Sequence, residues 1–232
     1  GADLLINSSF GIPSHITNNA PVSVYPITSF GTDFLYKVNE NNTIKLGIYD
    51  GLPKTITQQK LKTGIHFNDG IFFISEYEKN INENKIKLGL YNHSGSFAFN
   101  DSSEIINPHN GIYSLICTDV VSFNNQTISS FLQFSHSLYH KTIHNFYLGA
   151  GLSVNFNNKL ENTNKLIFGI AHAGRKKISE GETVCEISYV KKVGKYFTIQ
   201  PDIQYIVNPS GYDKPLKNAL SLNFRLLFVF EK

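Results

Sequence analysis

Residues 220–230 read Leu-Ser-Leu-Asn-Phe-Arg-Leu-Leu-Phe-Val-Phe, with a large apolar side chain at every even position and small or polar groups at most odd ones. Successive side chains on a strand point to opposite faces, so this segment is a ribbon with one hydrocarbon face and one largely polar face. That is the pattern of a transmembrane β-strand, which turns apolar groups to lipid and polar groups to an aqueous interior. A half-buried strand of a soluble sandwich shares the alternation. Strand number and length separate the two, because a bilayer needs about 9–11 tilted residues whereas ordinary strands average about 5–6.

The same period recurs along the chain. Alternating runs bounded by Asn, Gly, Pro and Asp predict eleven strands, near residues 28–38, 43–50, 66–78, 85–92, 111–123, 128–139, 145–156, 165–174, 183–193, 196–207 and 219–230, with a twelfth at Leu4 to Phe10. No helix is predicted. In residues 145–156, Phe146, Leu148, Ala150, Leu152, Val154 and Phe156 face one way, and Asn145, Tyr147, Gly149, Gly151, Ser153 and Asn155 the other. In 197–207 the outward set is Phe197, Ile199, Pro201, Ile203, Tyr205 and Val207, with Thr198, Gln200, Asp202 and Gln204 inward. Pro201 lacks an N–H for the ladder and predicts a local bulge or irregularity. Short Asn-rich separators such as Asn124-Asn125 and Asn157-Asn158 predict hairpin turns, while Gly51 to Gly64, His93 to Gly111 and Asn208 to Asn218 predict longer loops. Short turns at one end and long loops at the other fit an outer-membrane barrel. Ile44-Lys45-Leu46-Gly47-Ile48-Tyr49-Asp50-Gly51 returns as Ile86-Lys87-Leu88-Gly89-Leu90-Tyr91-Asn92-His93, about two strands later. The repeat is that of equivalent strands in successive hairpins.

Composition changes the picture little. The chain has 232 residues, is 41% hydrophobic and 13% aromatic, and has no run of apolar residues long enough for a membrane-spanning helix. Net charge is +3, and the one compact basic run, Arg175-Lys176-Lys177, reads as a turn or loop, which does not suggest a nucleic-acid partner. Cys117 and Cys185 lack metal-ligand or redox spacing and read as small wall positions, able to pair if the protein is exported. His136, His140 and His144 would align on a helix, but they fall on a strand and a turn, so no metal is expected. No nucleophile elbow, His-Glu-x-x-His or phosphate loop occurs, and neither an enzyme activity nor a cofactor is expected.

Longer motifs are more specific than the alternation. Leu5-Ile6-Asn7-Ser8-Ser9-Phe10-Gly11-Ile12-Pro13, Val24-Tyr25-Pro26, Leu46-Gly47-Ile48-Tyr49-Asp50-Gly51 and Asn68-Asp69-Gly70-Ile71-Phe72-Phe73-Ile74-Ser75-Glu76 occur in that order. They are followed by Lys87 to Gly95, Gly111-Ile112-Tyr113, Glu186-Ile187-Ser188-Tyr189 and Gln200-Pro201-Asp202-Ile203-Gln204-Tyr205-Ile206-Val207-Asn208-Pro209. In order and spacing the series resembles the carbohydrate-selective porin family typified by OprB, over essentially the whole chain. The resemblance implies an all-β, antiparallel transmembrane β-barrel in the bacterial outer membrane, through which monosaccharides or small oligosaccharides diffuse passively. It also implies a sixteen-stranded barrel, of which residues 1–232 would form one domain of about 11–12 strands, the C-terminal half to two-thirds, without the N-terminal strands. Glu231 and Lys232, after Phe230, depart from the family's terminal aromatic.

A sugar pore is selective through its width and its inward hydrogen-bonding and aromatic groups. Strand parity makes Lys45, Tyr49, Glu76, Lys87, Tyr91, Gln133, Tyr147, Glu186, Gln200, Asp202, Gln204, Asn223 and Arg225 the inward candidates. They either touch sugar or form interior ladders that hold the wall. The expected partners are outer-membrane lipid and small carbohydrates, with a homo-oligomer or larger envelope complex as a further possibility. The alternative function is an outer-membrane barrel that serves as a structural or interaction component of an envelope assembly.

Overall fold

The computed structural model describes residues 2–24, 27–52, 70–98, 105–106, 109–123, 126–138, 144–157, 163–174, 181–194, 196–209 and 216–229. Among these residues thirteen strands follow two 3-10 turns, Ala2–Leu4 and Ser8–Phe10, and one helical turn, α1, at Ser14–Thr17. They are β1 (Gly31–Asn39), β2 (Asn42–Asp50), β3 (Ile71–Ile81), β4 (Asn84–His93), β5 (Phe97–Ala98), β6 (Ile105–Ile106) and β7 (His109–Phe123), then β8 (Gln126–Ser137), β9 (Phe146–Asn157), β10 (Thr163–Gly174), β11 (Glu182–Val193), β12 (Phe197–Val207) and β13 (Ala219–Phe228). Among the described residues β5 and β6 pair only with each other. The other eleven form one sheet in the order β1-β2-β3-β4-β7-β8-β9-β10-β11-β12-β13. No described helix is long and apolar enough to cross a membrane.

Each of the eleven predicted strands has a counterpart among the described residues, while residues 66–69 of the third and Tyr139 of the sixth lie outside them. The twelfth has none: residues 4–10 form 3-10 turns instead. The reason is local, because the Asn7 side chain accepts the Ser9 N–H and caps the second turn, taking that amide out of any ladder. At Pro201 the expected irregularity is present, as an interrupted ladder and not as a bulge. The β11–β12 pairing keeps one register on both sides of the interruption, from Ser188↔Asp202 to Lys191↔Ile199, and Pro201 lies opposite Phe224 in β13. Proline removes a donor without forbidding an extended backbone, so the ladder is interrupted and not shifted. The hairpin between β3 and β4 turns at Asn82, whose φ of 52° is one that Asn tolerates well. The Arg175-Lys176-Lys177 run, His140, Phe230, Glu231, Lys232 and most of the Gly51 to Gly64 loop lie outside the described residues.

Parity decides exposure. In β13, Leu220, Leu222, Phe224, Leu226 and Phe228 are exposed, Leu222 at 73%, while Ser221, Asn223 and Arg225 are partly covered. In β12, Ile203 and Tyr205 are exposed and Gln200, Asp202 and Gln204 buried. In β8, Leu132 and Phe134 are exposed and Phe131, Gln133 and Ser135 buried. This inverts a soluble protein: the covered face is polar and the bare face is hydrocarbon.

Cα packing divides the chain into two units: Gly1–Ile12, Ile116–Gln133 and Leu148–Lys232 form the first, and Pro13–Leu115 with Phe134–Tyr147 the second. In the second unit, the repeated Gly-x-Tyr has a reciprocal use. A Cβ on Gly89 would strike the Tyr113 ring, and one on Gly111 would lie 2.5 Å from the Tyr91 hydroxyl, so each tyrosine of β4 and β7 lies over the other strand's glycine. On the other side of β2, Tyr49 covers Gly31 of β1 in the same way, with its hydroxyl on Asp33. Glycine on a strand costs stability by lacking a side chain to pack, and the ring laid over it recovers that contact.

Two expectations follow. Phe224→Arg, on the apolar face of β13, will cost about 2–4 kcal/mol in denaturant unfolding from lipid vesicles if that face meets hydrocarbon near mid-depth. Gly89→Ala will destabilise by about 1–3 kcal/mol through overpacking, and Tyr113→Ala in the same chain will cost less than it does in wild type, a coupling that a double-mutant cycle reads directly.

Candidate functional site

The polar face of each unit carries its own constellation. In the second unit, β3 contributes Glu76 and Glu78, flanked by Lys45 of β2 and Lys85 and Lys87 of β4. Register makes the set, since Lys45 stands opposite Glu76 and Glu78 opposite Lys87. Lys45 Nζ lies 3.2 Å from Glu76 and 2.7 Å from Glu78, Lys87 Nζ 3.3 Å and 3.6 Å from the same two, and Lys85 Nζ 3.3 Å from Glu78. The Tyr113 hydroxyl donates to the second oxygen of Glu76 at 3.1 Å. Three ammonium groups surround two carboxylates, and Lys45 and Lys85 remain the more exposed, at 37% and 45% of their side chains.

Beyond this ladder the same unit carries an aromatic row. Tyr49, Phe72 and Tyr91 follow one another on β2, β3 and β4 with ring centroids 6.2 and 6.3 Å apart, and Tyr91 meets His109 of β7 at 5.4 Å, its hydroxyl 3.2 Å from Nε2. The row is roofed by residues of the N-terminal segment: Ile16 is buried against Phe72 and Tyr91, with Val22 beside it. Asn19 exchanges two hydrogen bonds with the His144 backbone, its amide donating to the carbonyl at 2.7 Å and its oxygen accepting the N–H at 3.1 Å. His93 is wholly buried. Its Nδ1 accepts the Gly95 N–H, which leaves Nε2 to donate to the Gly51 carbonyl at 2.7 Å and fixes a neutral tautomer.

In the first unit the polar face lies under residues 4–10. Glu186, fully buried, accepts two consecutive backbone N–H groups, Ile6 at 2.5 Å and Asn7 at 3.0 Å, one on each carboxyl oxygen. Gln200 donates to the Leu4 carbonyl at 2.7 Å and to Ser188 Oγ at 2.6 Å, and the Asn7 amide donates to Gln204 at 2.9 Å. Gln204 and Asn223 both donate to the same Asp202 oxygen, at 2.8 and 3.1 Å. Gln133 donates to the Phe10 carbonyl at 3.1 Å, and the Phe10 ring stands edge-on to Phe131. Leu5 and Phe10 occupy the space above Gly169, where a Cβ would come within 2.5 and 2.8 Å of them.

Every predicted inward residue thus lies on the partly or fully covered side. Lys45, Glu76 and Lys87 meet in one ladder, Tyr49 and Tyr91 in one aromatic row, and Gln133, Glu186, Gln200 and Gln204 under one backbone segment, while Asn223 binds Asp202. Arg225 faces the same way and is partly covered, and Tyr147 is fully buried. Sequence reasoning omitted Glu78, Lys85, Tyr113, Ser188 and His93. Parity alone would have found Glu78, two residues after Glu76, and Ser188, two after Glu186. Cys117 and Cys185 are free thiols, and no group of three or more potential metal-ligating His, Cys, Asp or Glu side chains occurs among the described residues.

Residues 145–230 match the family model of the carbohydrate-selective porins of the OprB family. Comparison with curated proteins gives no match. Among solved structures, the high-pH structure of Pseudomonas putida OprB superposes with a TM-score of 0.77 at 15% sequence identity, over 94% of this chain and 62% of that porin. This chain therefore spans less than two thirds of the length of the porin it matches. Residues 145–230 carry the sequence pattern of the OprB family, and the described strands have the fold of an OprB porin.

Proposed function

We propose that this chain forms part of the wall of an outer-membrane channel through which small carbohydrates diffuse passively. The observation that carries the reading is the inversion of polarity: Leu132, Phe134, Leu148, Leu152, Phe168, Ile170, Ile203, Leu222 and Phe224 are bare on one face, while carboxylates, amides and lysines are gathered on the other. A surface of that kind is stable against lipid and unstable in water. The OprB match at residues 145–230 supports carbohydrate as the substrate class. Lys45, Lys85 and Lys87 around Glu76 and Glu78 offer donors and acceptors at close spacing, which suits hydroxyl-rich solutes and asks for no catalytic group.

Among the described residues β1 pairs only with β2 and β13 only with β12. An unpaired strand edge is not tolerated in hydrocarbon, so both edges take further strands, and the 62% coverage of the matched porin supports a barrel larger than these eleven. The intact mass of the protein purified from its membrane distinguishes the two sources of those strands: a mass above 26.1 kDa places them in the same chain, and a mass of 26.1 kDa assigns them to a second one.

The complete protein in liposomes will permit swelling in glucose and in small oligosaccharides and will exclude large ones. Liposomes sealed to glucose would instead favour a structural or interaction role, to which the covering of Glu186, Gln200 and Gln204 by residues 4–7 would then belong. Lys45→Met with Lys85→Met will move the reversal potential in a salt gradient toward cation selectivity, because the ladder then keeps two carboxylates against one ammonium.

A further inference from the structure

We propose that Glu186 is the positioning residue that pins residues 4–10 over the polar face of β10, β11 and β12, and that this pinned segment sets the width and chemistry of the passage there. The proposal rests on the reading of the chain as a pore wall and names the control of that same site.

The geometry is that of a latch. Two consecutive N–H groups, Ile6 and Asn7, converge on the two oxygens of one carboxyl group. Consecutive amides in an extended strand point to opposite sides, so the convergence requires the turned backbone found here and would not survive if the segment ran as a strand. Neighbours on either side fix the register: Gln200 takes the carbonyl of Leu4, and Gln204 the side chain of Asn7. Three wall side chains on β11 and β12 thereby bind three residues of one segment, and most of those bonds are to its backbone. Leu5 and Phe10, seated over Gly169, fill the space between the bonds.

As a result Glu186 and Gln200, although inward by parity, are wholly buried and do not meet a solute. The exposed polar residues of this part of the segment are Asp3 and Ser8. Glu186 therefore acts through the segment it holds. A glutamine at 186 keeps the size but offers one acceptor oxygen and an NH2 group, which would face a backbone N–H donor to donor. The two amides are then left with one acceptor oxygen between them, where the carboxylate gives each its own.

The test uses the full-length protein. Glu186→Gln will raise single-channel conductance in planar bilayers and will speed hydrogen exchange at the amides of Ile6 and Asn7 by about tenfold or more, with the strand amides of β11 and β12 unchanged. Ile6→Pro removes one of the two donors from the segment while leaving the wall untouched, and it will raise conductance in the same direction, which decides the matter should Glu186→Gln fail to insert. Unchanged exchange at residues 6 and 7 would overturn the latch. Faster exchange with unchanged conductance would overturn the control of the passage. A wild-type protein that forms no channel but exchanges as described would instead remove the pore reading and leave the latch standing.

Discussion

A backbone in hydrocarbon must satisfy its own N–H and C=O groups, and an antiparallel sheet that continues from strand to strand is one of the two ways to do so. In the proposed membrane setting, that constraint accounts for strands of 9–15 residues in the large sheet and for a register that holds even across Pro201. It also frees the side chains from the usual duty of burying apolar surface. Leu222 and Phe224 can stay bare because lipid, not a second layer of protein, is their proposed neighbour.

The opposite face then carries the polar groups, and their problem is satisfaction. The two units solve it differently. In the second, acid and base on neighbouring strands neutralise one another, with Glu76 and Glu78 on one strand and lysines on both sides. In the first, amides and carboxyls are answered by the backbone of residues 4–7. Charge ladders at this exposure contribute little stability each and leave groups free to exchange partners with a solute. Buried acceptors closed by backbone donors are costly to open, since each carries a desolvation penalty when left unpaired. The charge ladder suits a surface that solutes touch, and the closed acceptors suit one that holds another part of the chain.

The strands were legible because their period is local. Alternation over about ten residues needs no knowledge of neighbours, and Asn-rich separators such as Asn39 to Asn42 marked where some of the runs ended. The Gly-x-Tyr repeat was visible too, but its meaning was not: only pairing between β4 and β7 brings Tyr113 over Gly89 and Tyr91 over Gly111. The misread element was Leu4 to Phe10, which has the spacing of a short strand but is bent by the Asn7 cap and the pull of Glu186.

The sequence by itself determined which residues form strands and which side of each strand carries the apolar groups, because both follow from a period of two along a single stretch of chain. Tertiary structure alone decided which polar groups stay open and which are covered. Ile6 and Glu186 lie 180 residues apart, and Leu4 and Gln200 lie 196 apart. No pattern within a strand records a partner at that distance, so parity could place Glu186 on the inward face but could not say that a backbone segment already occupied it.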